Sequence, residues 1–250
     1  MWTKKLRAKL RSSHRWIGVI VGVQLSLWVI SGFYFAWISI DDVKGDSNKV
    51  EILPQDVTIE DLYPPGKLLL PLSFKLKSLK LELSPKGYVY RLESKDDKVS
   101  IFGAVSGTAF DILSHEEAIA TALTQVKKQS GVKGIVFVEE KGGEYKGPVP
   151  VYRIQLDDWI RTRLYVDPWT AKLIVQRNSL WRVYDFLWML HIMDYSEREN
   201  FNNPLIKILT LAALGLVISG YLLFYYGRPR KKKVTSAALI QTSEENKTSL

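Results

Sequence analysis

The chain is 250 residues long, 46% apolar and 24% charged, a composition that belongs to a folded protein and excludes a disordered one. Its net charge of +9 sits at the ends: residues 1–40 carry +6, residues 204–250 carry +5 and residues 41–203 carry −2. A nucleic-acid-binding protein needs its basic face on the folded part, so nucleic acid is excluded as a partner, and the lack of cysteine excludes disulfide staples and thiolate metal sites.

Residues 1–15 form a basic N-terminus, with Lys4, Lys5, Arg7, Lys9, Arg11 and Arg15 and no acid. Residues 16–40 then run without a charge, and at about 1.5 Å per residue they span roughly 37 Å, enough to cross a hydrocarbon core of about 30 Å. A cleavable signal has an apolar run of only about 7–15 residues ending in small side chains. Here the run is longer and ends in Phe35-Ala36-Trp37, so an uncleaved signal anchor is expected.

The domain expected over 41–178 begins with a linker over 41–57 and contains a weak internal repeat. Val57-Thr58-Ile59-Glu60-Asp61-Leu62 resembles Leu113-Ser114-His115-Glu116-Glu117-Ala118, each a helix start with a hydroxyl cap and an acid three residues on. Tyr88-Val89-Tyr90-Arg91-Leu92 resembles Pro150-Val151-Tyr152-Arg153-Ile154. Each is followed by a second β-rich run, Lys98 to Ala104 and Arg161 to Val166. The predicted fold is therefore α+β, with two tandem units of antiparallel strands and one helix each. The second helix covers about 115–129, and Pro64-Pro65-Gly66 is expected to end the first after Tyr63. The adjacent Asp157 and Asp158 lie at a strand end, point apart and read as a solvated turn.

Residues 179–203 hold an aromatic segment, Ser179 to Met193, that carries Arg182, Asp185 and His191. It is too short and too charged to span a membrane and reads as an amphipathic interfacial helix. Residues 204–227 form the second expected span, whose stretch Ile208 to Tyr226 is uncharged and whose start at Asn202-Asn203-Pro204 suits a helix cap. Residues 228–250 form a polar, basic tail read as disordered. Basic flanks beside both spans place both termini in the cytoplasm and the domain on the other side.

Ser114-x-Glu116-Glu117-Ala118, Val151-Tyr152-Arg153-Ile154 and Tyr165-Val166-Asp167-Pro168-x-Thr170 together resemble a PepSY domain, whose strands end near a D-x-x-T-G turn; here Ala171 replaces the glycine. His14-Arg15-Trp16-Ile17-Gly18 and Leu190-His191 are similar to the PepSY-associated transmembrane proteins, although the better-known members have four or more spans. The resemblance implies a duplicated PepSY-like domain in the periplasm, flanked by two transmembrane helices in a bacterial inner membrane. It also implies one of two functions. The first is an accessory in transmembrane electron transfer or in the handling of iron and ferric siderophores, using b-type haem. The second is a non-catalytic anchor whose domain modulates a peptidase or another envelope protein. With no flavin or nucleotide domain in the chain, an electron donor would be a separate cytoplasmic flavin reductase.

Three histidines carry the chemistry available. His14 shares a face of the first span with Gly18, Val21, Leu25 and Gly32; Gly18-x3-Gly22 either admits another helix or leaves room beside a haem-ligating imidazole. His191 lies 180° around its helix from Arg182, on an apolar stripe, and needs a partner: Asp194, a backbone carbonyl, or a metal. His115 lies at an exposed helix start. On the expected topology His14 and His191 are roughly 30 Å apart across the bilayer, so one haem cannot take both. A homodimer holding two haems, with a contact seated on Gly215 and Ser219, or a multi-span membrane partner, would complete the coordination. No hydrolase, protease or phosphate-loop motif is present.

Overall fold

The computed structural model describes residues 4–227 other than 70–74, 97 and 129. The tail expected over 228–250 lies outside the described residues. The chain divides into two compact units, one of Met1–Val29 with Ile192–Leu250 and the other of Ile30–His191.

Helix α1 (Lys4–Trp37) starts well ahead of the apolar run, so His14 lies inside the helix. Its stretch Ala8–Trp37, and Pro204–Tyr226 in the last helix, are long and apolar enough to cross a membrane. In the first unit, His14, Gly18, Val21 and Leu25 fall on the covered face of α1, and Gln24 is buried there too. The last helix, Pro204–Gly227 (α6 below), covers Ile206, Leu209, Ala213, Leu216 and Gly220, a spacing of three and four. Its opposite face exposes Leu205, Ile208, Leu211, Leu214, Val217 and Phe224, a continuous apolar surface that water does not tolerate. The helix starts where the sequence places its cap. Asn203 Oδ1 accepts from Ile206 N at 3.0 Å, and Pro204 occupies a position whose N–H would have no helical acceptor. The preceding loop is organised by Asp194, which accepts from the backbone N–H of Asn200, Glu199 and Ser196 and from the Ser196 hydroxyl. These bonds, Asn200's foremost, hold its carboxyl below the usual carboxylate range.

The second unit contains two antiparallel meanders. Strands β1 (Leu76–Ser84), β2 (Gly87–Ser94) and β3 (Val99–Gly103) form one, in the order β1-β2-β3. Strands β4 (Val132–Val138), β5 (Val151–Leu156), β6 (Arg163–Val166) and β7 (Leu173–Arg177) form the other, in chain order. The runs expected to be strands coincide with β2, β3, β5 and β6. The first sheet buries Leu68, Tyr90, Leu92 and Ala104. The second buries Ile154, Leu164 and Val166 against Ala118, Ala122 and Val126. Arg91 of β2 pairs with Asp167 in the turn after β6, which ties the two sheets together.

Helix α4 (His115–Leu123) carries the expected capping box, with Ser114 and Glu117 bonded reciprocally. It ends six residues short of the expected 129, because the chain turns away to satisfy other partners. Gln125 donates to Ala171 O at 2.7 Å and accepts from Leu173 N at 2.8 Å, and Val126 bridges to Lys49. The prolines act differently from expectation. A short turn at Ile59–Asp61, capped by Thr58, ends before them, and Pro65 opens a new helix, α3 (Pro65–Leu69). Proline removes a donor that a first helical turn does not use.

The expected linker is also partly ordered. Helix α2 (Ile40–Lys44) ends at Gly45, which adopts φ 79°. A Cβ there would lie 2.6 Å from Gln176 Cδ, so only glycine lets this turn close onto β7. Val50 N then donates to Gln125 O, and Lys127 N to Asn48 O, both at 2.8 Å. Ala171 adopts φ 53° while fully buried, the left-handed conformation for which glycine is usual at the end of the D-x-x-T turn. Of the adjacent acids, Asp157 is exposed, while Asp158 is partly buried, accepts from Thr162 N at 2.6 Å and closes its own turn.

Candidate functional site

His14 is held in the first unit by a serine of α6. Its Nδ1 lies 2.7 Å from Ser219 Oγ, and the same hydroxyl donates to Leu216 O at 2.9 Å. Oγ thus bridges the imidazole and the backbone of the facing helix, which fixes the orientation of the ring, the way outer partners orient metal-ligating histidines. Two glycines line this contact: a Cβ at Gly220 would lie 3.4 Å from His14 Cε1, and one at Gly18 would lie 3.5 Å from Leu216 Cδ1, both ordinary van der Waals distances.

Ser219 was expected, with Gly215, to seat a contact with a second copy. Its hydroxyl is engaged within the chain, while Gly215 is exposed, with nothing among the described residues within 4 Å of a Cβ position.

His191 uses the same device in the second unit. It lies near the end of α5 (Ser179–Ile192), and its Nδ1 is 2.7 Å from Oγ of the fully buried Ser31 on α1. The bland partners considered from sequence, Asp194 or a backbone carbonyl, give way to Ser31 at Nδ1. The Asp194 bonds described above go to its own loop. Around the ring, Phe35 stands edge-on at 5.6 Å and Trp188 lies parallel at 6.4 Å. Tyr184 stacks in turn on Trp188 and meets Phe35 at 4.7 Å. Tyr184, Trp188 and His191 follow a helical spacing of four and three, so the apolar stripe of α5 packs on the last turns of α1. Tyr34 fastens the contact by donating to Leu180 O at 2.9 Å. Arg182 points away from this stripe, to Glu144 at 2.8 Å. His115 is exposed and meets only the edge of Tyr152, at 5.5 Å.

Both serines escaped the sequence reading as partners. The available signal is that a hydroxyl inside an apolar span needs a bond. Thr210 satisfies it on its own helix, through Ile206 O, whereas Ser31 and Ser219 reach a histidine.

A second polar centre, also missed, is Glu144. It accepts from Arg182, Arg163 and the Tyr165 hydroxyl. Burial works to raise its pKa, but the two guanidinium groups outweigh it and hold the carboxyl below its ordinary value. Burial, aided by Glu144, pushes Tyr165 up to about 12. Every oxygen of this centre is committed to fastening its loop to β6 and α5, a structural role.

Among the described residues no group of three or more His, Asp or Glu side chains gathers to hold a bare metal ion. A haem iron asks less of the protein, one or two imidazoles with the macrocycle supplying the rest. No family model, no curated protein and no solved structure matches the chain.

Proposed function

We propose that this chain is a two-span inner-membrane protein of PepSY type that holds b-type haem through His14 and His191 and serves as an accessory in transmembrane electron transfer or iron handling. The observation that carries the reading is the serine bonded to Nδ1 of each imidazole, which for His14 leaves Nε2 as the nitrogen to ligate through. Exposed apolar faces on α1 and α6 support insertion in a bilayer, and the basic flanks support cytoplasmic termini. The order of capped turn, helix and meander in each half of the domain supports a duplicated PepSY-like arrangement.

The residues divide the work as follows. Ser219 and Ser31 orient the imidazoles, and Phe35 and Trp188 pack beside the ring of His191. A bound haem would supply one-electron transfer between ferric and ferrous iron, with reduction potential tuned by the ring's hydrogen bond and its burial.

The test is the visible spectrum of the full-length protein, expressed with ample haem and purified in detergent. A Soret band that sharpens and shifts on reduction is expected. His14→Ala and His191→Ala should each remove part of it, and His115→Ala should leave it intact. Protein that stays colourless, alone and with its genomic neighbours, overturns the reading and gives the lead to the non-catalytic anchor.

A further inference from the structure

The second unit contains a cationic groove apart from the histidines and from the Glu144 centre. A cavity of about 300 Å³ lies between α2 and β7, lined by Lys44, Asp46, Lys49, Val175, Arg177 and Trp181 among others. Three of these six are cationic and one is acidic. Arg177 is the telling member. Its guanidinium lies over the Trp181 ring at 4.2 Å, and among the described residues its hydrogen bonds go to backbone carbonyls, Glu144 O and Gln176 O. Among the described residues no carboxylate lies within ion-pair distance of it. Burial works against its charge, and neighbouring acids offset this only in part. A half-buried cation held this way, with two exposed lysines across the cleft, is arranged for an anion from outside the chain.

The position of the groove identifies the anion. Trp181 follows Leu180, whose carbonyl receives the Tyr34 hydroxyl from the last turn of α1. Lys44 is seven residues past Trp37, the end of that helix, and so within about 25 Å of it along the chain. The hairpin tip between β5 and β6 projects Trp159, 91% exposed. That tip is fastened to the start of α5, since Ser179 donates to Ile160 O through both N and Oγ at 2.8 Å. Tryptophan together with lysine and arginine at the end of a span is the pattern of a membrane interface.

We propose that this groove binds the phosphate ester of an anionic lipid headgroup from the leaflet that α1 reaches at Trp37. Lys44, Lys49 and Arg177 take the phosphate, and Val175 with Trp181 receives the glycerol backbone. The proposal rests on reading α1 as a membrane span, but not on haem or on the direction of insertion.

Native mass spectrometry of the full-length chain, released from an uncharged detergent, tests it with phosphatidylglycerol, phosphatidylcholine or soluble sn-glycerol 3-phosphate. The expected result is one retained phosphatidylglycerol, favoured about ten-fold or more over phosphatidylcholine. At about five-fold per cation removed, Lys44→Gln with Lys49→Gln should weaken retention about twenty-five-fold and Arg177→Gln about five-fold. The paired lysine variant alters only exposed side chains, so it reads the groove even if Arg177→Gln disturbs packing on Trp181. Lys80→Gln with Lys133→Gln removes the same charge elsewhere and should change nothing. Equal weakening by that pair, equal retention of both lipids, or binding of glycerol 3-phosphate without phosphatidylglycerol would each overturn the assignment. A reporter fusion showing the domain on the unexpected side would bear on topology alone.

Discussion

Removing the Asp167 carboxylate should loosen the domain in two separable steps. Its Oδ1 accepts from Trp169 N, Thr170 N and Thr170 Oγ1 at 2.9–3.0 Å, while Oδ2 meets Arg91. Asp167→Asn keeps the first set and breaks the ion pair. Losing one partner of a buried pair costs about 3–5 kcal/mol, but Arg91 is 18% exposed and keeps Glu82 at 3.3 Å, so about 2–3 kcal/mol is expected. Asp167→Ala also strands the donors of Thr170, which is 1% exposed. An unsatisfied buried donor costs about 1–3 kcal/mol; the hydroxyl can turn towards another acceptor, so the two Thr170 donors together are taken at about 2–3 kcal/mol, which brings the total to about 4–6 kcal/mol. For a domain of this size 1 kcal/mol corresponds to about 3 °C. The melting temperature should therefore fall by about 6–9 °C for Asn and about 12–18 °C for Ala, followed by near-ultraviolet circular dichroism of the full-length protein in micelles. Arg91→Met should recover little further loss when combined with Asp167→Asn, because the pair is already broken. Equal losses for Asn and Ala would refute the division of labour between the two oxygens.

Four further outcomes are expected. A fragment of residues 38–178 should unfold cooperatively by circular dichroism, whereas residues 50–178, which lack the α2 segment packed on β7, should be less stable or fail to fold. A reporter active only outside the cytoplasm should be active when fused after residue 110 and silent after residue 235. Glu144 has its folded pKa depressed below the ordinary 4.5, so its contribution is present above that value and lost as pH falls through the folded one. The gap in melting temperature between wild type and Glu144→Gln should accordingly be full at pH 7 and should close on acidification. Ala171→Val should cost about 2 kcal/mol or more in chemical denaturation, since a β-branched residue is forced into a left-handed, fully buried position.

The parts legible in the sequence are those fixed by local chemistry. An uncharged run of 25 residues reads as a span because a bilayer demands that length. Ser114 with Glu117 reads as a helix start because both bonds close within one turn. Pro65 opens a helix where the sequence suggests a break, because proline is tolerated in a first helical turn and not in a helix interior. Edge strand β7 left little alternation to detect: Leu173 is buried, Ile174 is exposed and Gln176 is buried beneath Gly45. Its order comes from α2 and Gln125, which are remote in sequence. Ser31 and Ser219 were invisible as partners for the same reason, since each lies more than 150 residues from its histidine. His191 could be matched only with neighbours such as Asp194, which its own loop had already taken.

The two serines also constrain how haem would be coordinated. With Nδ1 of His14 engaged by Ser219, Nε2 is the nitrogen through which His14 could ligate. His191 is held at Nδ1 by Ser31. Each histidine would bring one axial ligand. His115, the third, stands exposed on α4 beside Tyr152. A haem with two imidazole ligands must then take its second from another chain, either a second copy or a multi-span partner. Ser219 is turned inward to His14, so of the pair expected to seat a second copy Gly215 is the residue that faces outward, beside Leu211, Leu214 and Ile218. A Cβ there would meet nothing within 4 Å, and a small residue of this kind lets a second helix approach closely in lipid. Either a second copy or a partner with spans of its own could supply the second ligand through that face.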